Sequence, residues 1–334
     1  VRQALQEGHR RLHTDPVVTP LSACRPEDGA LVGGKAARLG DLRERFPDHV
    51  PDGFVVTTAA SARLLAEGPT GALLREGMRG LDLATAANRL GALAEEARAL
   101  VLHAPVPEGL EGEIQDCARR WREDGTWAVR SSAVGEDGAF SFAGQFETVL
   151  DVPRSDLVTA WRRVVSSTLA EHVIRYRLAC GFFELATPMA VLLMPMVPAR
   201  ASGVLYTRDP ARPDEERVVV DALRGRAADL VAGRADPETA VLSRDSLCVV
   251  EGSPGPLSPH ELAKLGRLAL AAEALFGETL DVEWAVDEGG HPWLLQARPL
   301  VPVAAPTKEA AEPDATPLAR GGLTVVGGRT AGVV

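Results

Sequence analysis

The chain has 334 residues, a formal net charge of −10, and 46% hydrophobic and 25% charged residues, ordinary proportions for a globular protein long enough to build two lobes around sizeable cores. The acidic balance disfavours nucleic acid and anionic membranes as general partners, since both are polyanions. No apolar run reaches the roughly 18 residues of a membrane span, the first residues lack a signal peptide's apolar stretch, and Cys24, Cys117, Cys180 and Cys248 stand singly, so a reduced cytoplasmic protein with neither disulfide framework nor zinc site is expected.

Residues 1–25 are polar, broken at Pro16 and Pro20, and read as an N-terminal extension. In LVGGKAARLGDLRERF (31–46) a short apolar run meets Gly33-Gly34-Lys35, and Leu39, Leu42 and Phe46 follow at helical spacing. A glycine pair entering a helix lets backbone approach an anion, and the first-turn N–H groups favour negative charge. Lys35 is therefore placed to meet a phosphate; a flexible turn with a surface lysine is the alternative. Ala36 after the lysine excludes a P-loop.

VPDGFVVTT (50–58) reads as a turn and a strand, and 60–125 as helical, with one core stripe through Leu90, Leu93, Ala97, Leu100 and Val101 and another through Leu110, Ile114, Ala118 and Trp121. In TWAVRSSAVGEDGAFSFAGQFETVLDV (126–152) a strand delivers Arg130 and two serines into a loop with Gly135, Gly138 and Gly144. A second strand returns with Phe146, Thr148 and Leu150 on one face. Such a loop can fold over a polyphosphate or be an ordinary surface hairpin. Residues 155–180 read as one amphipathic helix through Leu157, Trp161, Val164, Val165 and Leu169.

The stretch 190–210 reads as a strand, a break at Pro195 and Pro198, and a second strand from Gly203. Pro195 is expected to release backbone near Met194–Val197 from the ladder, leaving it for the edge of a base while Met194 and Met196 contact its face; a buried strand bent by proline is the plainer reading. RVVVDAL (217–223) is a further strand. Ser258-Pro259-His260-Glu261 has capping-box spacing with Pro at the first helical position, and Gly277 ends that helix.

DVEWAVDEGGHPWLLQARPL (281–300) is the most informative stretch. Two β-rich runs flank Gly289-Gly290, which predicts a hairpin with a two-residue type I′ turn. Counting outward sets Glu288 against His291, Asp287 against Pro292, Glu283 against Gln296 and Asp281 against Arg298. Val282, Trp284, Val286, Trp293 and Leu295 then share a core face, and Asp281, Glu283, Gln296 and Arg298 the other. Glu283 and Gln296 offer hard oxygens suited to Mg²⁺, and the Arg298 fork suits phosphate; a solvent-facing hairpin with an Asp281–Arg298 pair has the same pattern. Residues 301–320 read as an Ala/Pro/Glu-rich linker, and 321–334 as the start of a further domain.

Five motifs now stand in fixed order: VGGKAARLGDL, VPDGFVVTT, VRSSAVGEDGAFSFAGQFETVL, SGVLYTRDP and DVEWAVD…WLLQARPL. Together they resemble the ATP-binding domain shared by phosphoenolpyruvate synthase, pyruvate phosphate dikinase and rifamycin phosphotransferase, over about residues 31–300. The resemblance implies an α+β ATP-grasp fold whose two lobes, 26–185 and 186–300, clasp Mg-ATP. By it, Lys35 and Arg130 are phosphate contacts, Gly144 and Thr148 belong to a flap over the phosphates, and Met194 and Val197 lie at the base. Glu283 and Gln296 are metal and nucleotide ligands, and Arg298 is the arginine of the Q-A-R-P signature. It further implies transfer of the β-phosphoryl of ATP to a histidine on a separate swivelling domain, with release of AMP and phosphate, and a small-molecule acceptor on another domain. Residues 321–334 resemble the opening of that swivelling domain. Two features depart from the pattern: Met194 stands where relatives carry glutamine, and DALRGRAADLVAGR (221–234) lacks a glutamate and a glycine. The same ATP half also suits an antibiotic phosphotransferase, a carboxylate-activating enzyme, or a degenerate regulatory nucleotide-binding module.

Overall fold

A computed structural model describes residues 16–66, 71–73, 76, 86–121, 125–135, 145–179, 189–225 and 236–300. The first part of the N-terminal extension, the loop glycines Gly138 and Gly144, most of the 221–234 segment, the 301–320 linker and residues 321–334 lie outside the described residues.

Two antiparallel sheets organise the chain. The first takes β1 (Val18–Pro20), β2 (Phe54–Val56), β3 (Thr126–Ala133), β4 (Thr148–Pro153) and β5 (Met189–Pro195) in the order β1-β2-β5-β3-β4. The second takes β6 (Ala199–Tyr206), β7 (Arg217–Arg224), β8 (Glu238–Ser243), β9 (Val249–Gly252), β10 (Leu280–Asp287) and β11 (Pro292–Pro299) in the order β11-β10-β6-β7-β8-β9. The chain crosses between sheets at Met196–Pro198, so β5, expected to open the second lobe, is the central strand of the first sheet. A proline-bounded break is the natural crossing, because Pro195 and Pro198 have no N–H to extend a ladder.

The inner strands of the first sheet, β2, β5 and β3, are buried on both faces, and the period of two sorts their side chains. Phe54, Val56, Val129, Val191 and Leu193 join a core with the helices, whereas Val55, Ala190, Leu192 and Met194 face a second core shared with the other sheet. The first core is capped by α2 (Thr58–Ala66), α3 (Ala86–His103), α4 (Leu110–Trp121), α5 (Leu157–Ser166) and α6 (Glu171–Ala179). The expected single helix over 155–180 is broken between α5 and α6. Ser166, Ser167 and Thr168 turn their hydroxyls back onto the carbonyls of Arg163, Val164 and Val165, and a 3₁₀ turn replaces the α-helical ladder there.

The second core holds α1 (Gly29–Arg45) and α7 (Pro259–Phe276) against the sheets through Leu39, Leu42, Leu262 and Leu265. The stop and start signals of α7 are those read from the sequence. Ser258 accepts from the Glu261 N–H, the Glu261 carboxylate accepts from the Ser258 N–H, and Gly277 closes the helix at φ 71°.

Candidate functional site

The β10–β11 hairpin forms, with its outer register as counted: Asp281 lies opposite Arg298 and Glu283 opposite Gln296. Its turn does not. The Asp287 N–H donates to the His291 carbonyl and the Gly290 N–H to the Asp287 carbonyl, giving a three-residue loop in which Gly290 alone takes positive φ, 76°. Val286, not Asp287, therefore faces Pro292, and the one-residue offset is absorbed by a bulge opposite Glu283/Trp284, where β11 carries the extra residue.

The bulge also changes the faces. Leu294 enters the core beside Val282, Trp284 and Val286, whereas Leu295, expected there, turns to the polar side. Trp293, also expected in the core, is half-buried and donates its indole N–H to Asp287 at 3.0 Å. The far edge of β11 is stitched to the loop after α1. The Leu294 N–H donates to the His49 carbonyl at 2.7 Å, and the His49 and His291 rings stack with centroids 4.6 Å apart.

Arg130 joins the sheets. On β3 it alternates with Val129 and reaches β11, where Nη1 donates to the Leu295 carbonyl at 3.0 Å. Its Nη2 donates to Glu283 Oε2 at 2.5 Å and Gln296 Oε1 at 2.8 Å. All three side chains are buried. A charge pair this dry interacts strongly and needs its extra hydrogen bonds to offset desolvation, and Gln296 and Leu295 supply them.

Arg298, on the same hairpin face, is held by Asp281: Nε and Nη2 donate to Oδ2 at 2.9 and 2.7 Å. Burial pushes the Asp281 carboxyl above its ordinary range; Arg298 pulls it down and nearby Glu283 pushes it up again.

Lys35 comes to the same strand as Arg130. α1 starts ahead of the glycine pair, and Gly33 breaks it at φ 76°, where a Cβ would lie 1.9 Å from the Ser132 carbonyl oxygen. Ser132 fastens this junction, donating to the Val32 carbonyl at 2.8 Å and accepting from the Ala36 N–H at 3.0 Å. Lys35 Nζ then lies 3.4 Å from Ser131 Oγ, one residue beyond Arg130. The GGK and VRSS motifs thus form one packed unit, a pairing that the separate motifs do not announce.

A cavity lies where the sheets meet, lined by Ala128, Leu150, Met194, Met196 and Leu295 among others, with Arg130 as a charged lining residue. Val197 lines it too, and Thr148 is opposite Arg130 on β4. The backbone near Pro195 is less available than expected. The Met196 N–H donates to the Thr126 carbonyl at 2.9 Å, and the Val197 carbonyl accepts from the Ala199 N–H at 2.8 Å. Sequence reading missed Leu150 and Leu295 as cavity residues, because each depends on a bulge: Asp151 takes φ 57° beside Leu150, and the β11 bulge turns Leu295. Gly144 lies outside the described residues.

Glu283, Gln296 and the Leu295 carbonyl converge on one guanidinium, so hard oxygens already surround a cation position, a donor set that fits Mg²⁺. Among the described residues no three His, Cys, Asp or Glu side chains group as a metal site. A metal here needs further oxygens, which nucleotide phosphates and water provide.

Residues 29–256 and 251–317 match the family described as pyruvate phosphate dikinase, AMP/ATP-binding domain. The chain belongs to this family of ATP-binding domains. A rifampicin phosphotransferase from a Streptomyces species is 32% identical over 298 residues, covering 81% of this chain and 34% of the relative. The prodigiosin synthesizing transferase PigC of Serratia marcescens is 30% identical, covering 87% of this chain and 34% of the relative. A probable phosphoenolpyruvate synthase of Methanocaldococcus jannaschii is 28% identical, covering 85% and 26%. The chain therefore spans about a third or less of the length of these relatives. Among the described residues no helix is long and apolar enough to cross a membrane.

Proposed function

We propose that the chain is the Mg-ATP-binding half of a phosphotransferase, built as an ATP-grasp fold. The observation that carries this reading is the convergence of Arg130 from one sheet with Glu283 and Gln296 from the other, beside an apolar cavity sized by Met194, Met196, Leu150 and Leu295. The base lies in that cavity, between apolar side chains, with the ends of β5 and β6 at its edge. Lys35, Arg130 and Arg298 bind the phosphates, Gly144 and Thr148 belong to the segment closing over them, and Glu283 and Gln296 hold the metal.

Phosphoryl transfer asks mainly for positioning and for neutralisation of charge on the equatorial oxygens. Bound Mg²⁺ would supply part of that charge. Arg130 and Arg298 supply the rest from rigid strands, and the sheets exclude water around them. In this reading the β-phosphoryl passes to a histidine on a swivelling domain as its bond to AMP breaks, and water takes up the γ-phosphoryl, which is released as phosphate. The acceptor belongs to the whole protein: relatives named for an antibiotic and for phosphoenolpyruvate match 81% and 85% of this chain, so what they share with it speaks for the ATP step.

Titration calorimetry tests the reading. Mg-ATP binds the wild type, and Lys35→Ala, Glu283→Ala and Arg298→Ala each weaken it at least tenfold. Unchanged affinity in folded variants removes the site. Adding a swivelling domain in trans and measuring AMP tests transfer: ATP bound tightly with no AMP formed favours a regulatory module instead.

A further inference from the structure

We propose that Arg130 is a built-in substitute for the divalent cation, keeping the empty site neutral and refusing free metal until a nucleotide arrives. This rests on the nucleotide-site reading above. One guanidinium edge satisfies three oxygens at once: Glu283 Oε2 at 2.5 Å, Gln296 Oε1 at 2.8 Å and the Leu295 carbonyl at 3.0 Å. A carboxylate, an amide and a main-chain carbonyl are the donor types that hard divalent ions select. The carbonyl is available because the β11 bulge turns Leu295 toward Arg130 rather than into the core.

Charge arithmetic decides the order of binding. Arg130 and Glu283 cancel, and Asp281 and Arg298 cancel beside them, so the hairpin face is neutral. The Arg130 and Glu283 side chains are only 5% and 4% exposed, so water does little to screen an imbalance. A divalent cation entering alone adds two positive charges to this cluster and must break the buried Arg130–Glu283 pair and its two neighbouring hydrogen bonds. A triphosphate changes both sides of that balance: it brings the negative charge and offers Arg130 bidentate oxygen partners. Metal and nucleotide therefore enter together, with Arg130 moving from carboxylate to phosphate. Since β3 belongs to one sheet and β10–β11 to the other, the same exchange replaces a direct tie between the sheets by one through the ligand.

The probe is Mn²⁺ without nucleotide, followed by electron paramagnetic resonance on the full chain, with folding checked by thermal melts. Arg130→Gln is expected to bind Mn²⁺ at least tenfold more tightly than the wild type, and adding Glu283→Gln to that variant should abolish the gain. Arg130→Lys, which keeps one charge but loses the fork, guards against misfolding of the glutamine variant and should gain at least threefold. Equal Mn²⁺ binding by wild type and folded variants, or a gain that survives Glu283→Gln, overturns the substitute-cation role. If the wild type still binds Mg-ATP, only this inference fails; if it binds none, the nucleotide site fails and this falls with it.

Discussion

Arg298 places both Nε and Nη2 on a single oxygen of Asp281, at 2.9 and 2.7 Å, so the two residues form a cross-strand pair rather than two independent ligands. Burial raises the Asp281 carboxyl, with Arg298 opposing and Glu283 adding to the rise. A folded-state pKa above the unfolded one gives stability that is present below the ordinary carboxylate value, about 3.9, and lost as pH rises through the folded value. The stability of wild type minus that of Asp281→Asn should therefore fall as pH rises from about 3.9 and level off once Asp281 is ionised in the fold. Urea denaturation across that range measures it; a difference that rises with pH contradicts the assignment.

Removing one member of the buried Arg130–Glu283 pair leaves an uncompensated charge between the sheets. Arg130→Ala and Glu283→Ala should each cost about 3–5 kcal/mol, whereas Arg130→Met combined with Glu283→Leu should come close to wild-type stability. Denaturant midpoints of the three variants decide this. Additive losses in the double variant would mean that the two residues act separately.

Gly33 meets two constraints at once, a φ of 76° and a Cβ position 1.9 Å from the Ser132 carbonyl. Gly33→Ala should cost at least about 2 kcal/mol, since φ 76° with ψ 166° is a region essentially reserved for glycine that costs other residues about 1–3 kcal/mol, and the carbonyl cannot move without dragging β3. The variant should also weaken Mg-ATP binding, because Lys35 and Arg130 hang on opposite sides of that contact. A stable variant with normal affinity would show that the GGK–VRSS junction is not needed.

How much of this was legible in the sequence depended on how local the cause was. α7 could be read in full because Ser258, Pro259, Glu261 and Gly277 each act within a turn of the chain. The Asp281–Arg298 and Glu283–Gln296 pairs were also correct, but through two offsets that cancel: the loop has one residue more than a type I′ turn, and the bulge on β11 takes it back. Glu-Gly-Gly suits either turn, and no residue in Trp-Leu-Leu-Gln marks which leucine will bulge. That Arg130 shares a site with Glu283 and Gln296 is implied by the family resemblance, but its direct contacts with them were not legible, since Glu283 lies 153 residues away and only the stacking of the two sheets brings it near.

The bulge can be tested through the two leucines it separates. Leu294 is fully buried in the second core, so Leu294→Ala should cost about 2–5 kcal/mol and leave Mg-ATP affinity within about twofold, less than the tenfold that a 1.4 kcal/mol loss would bring. Leu295 instead lines the cavity and presents its carbonyl to Arg130, so Leu295→Ala should lose less stability and more affinity. The hairpin without its bulge makes the opposite forecast, with Leu295 as the core residue and Leu294 turned outward. Denaturation and calorimetry on the same two variants therefore separate the geometries, and a larger stability loss at Leu295 than at Leu294 would rule out the bulged one.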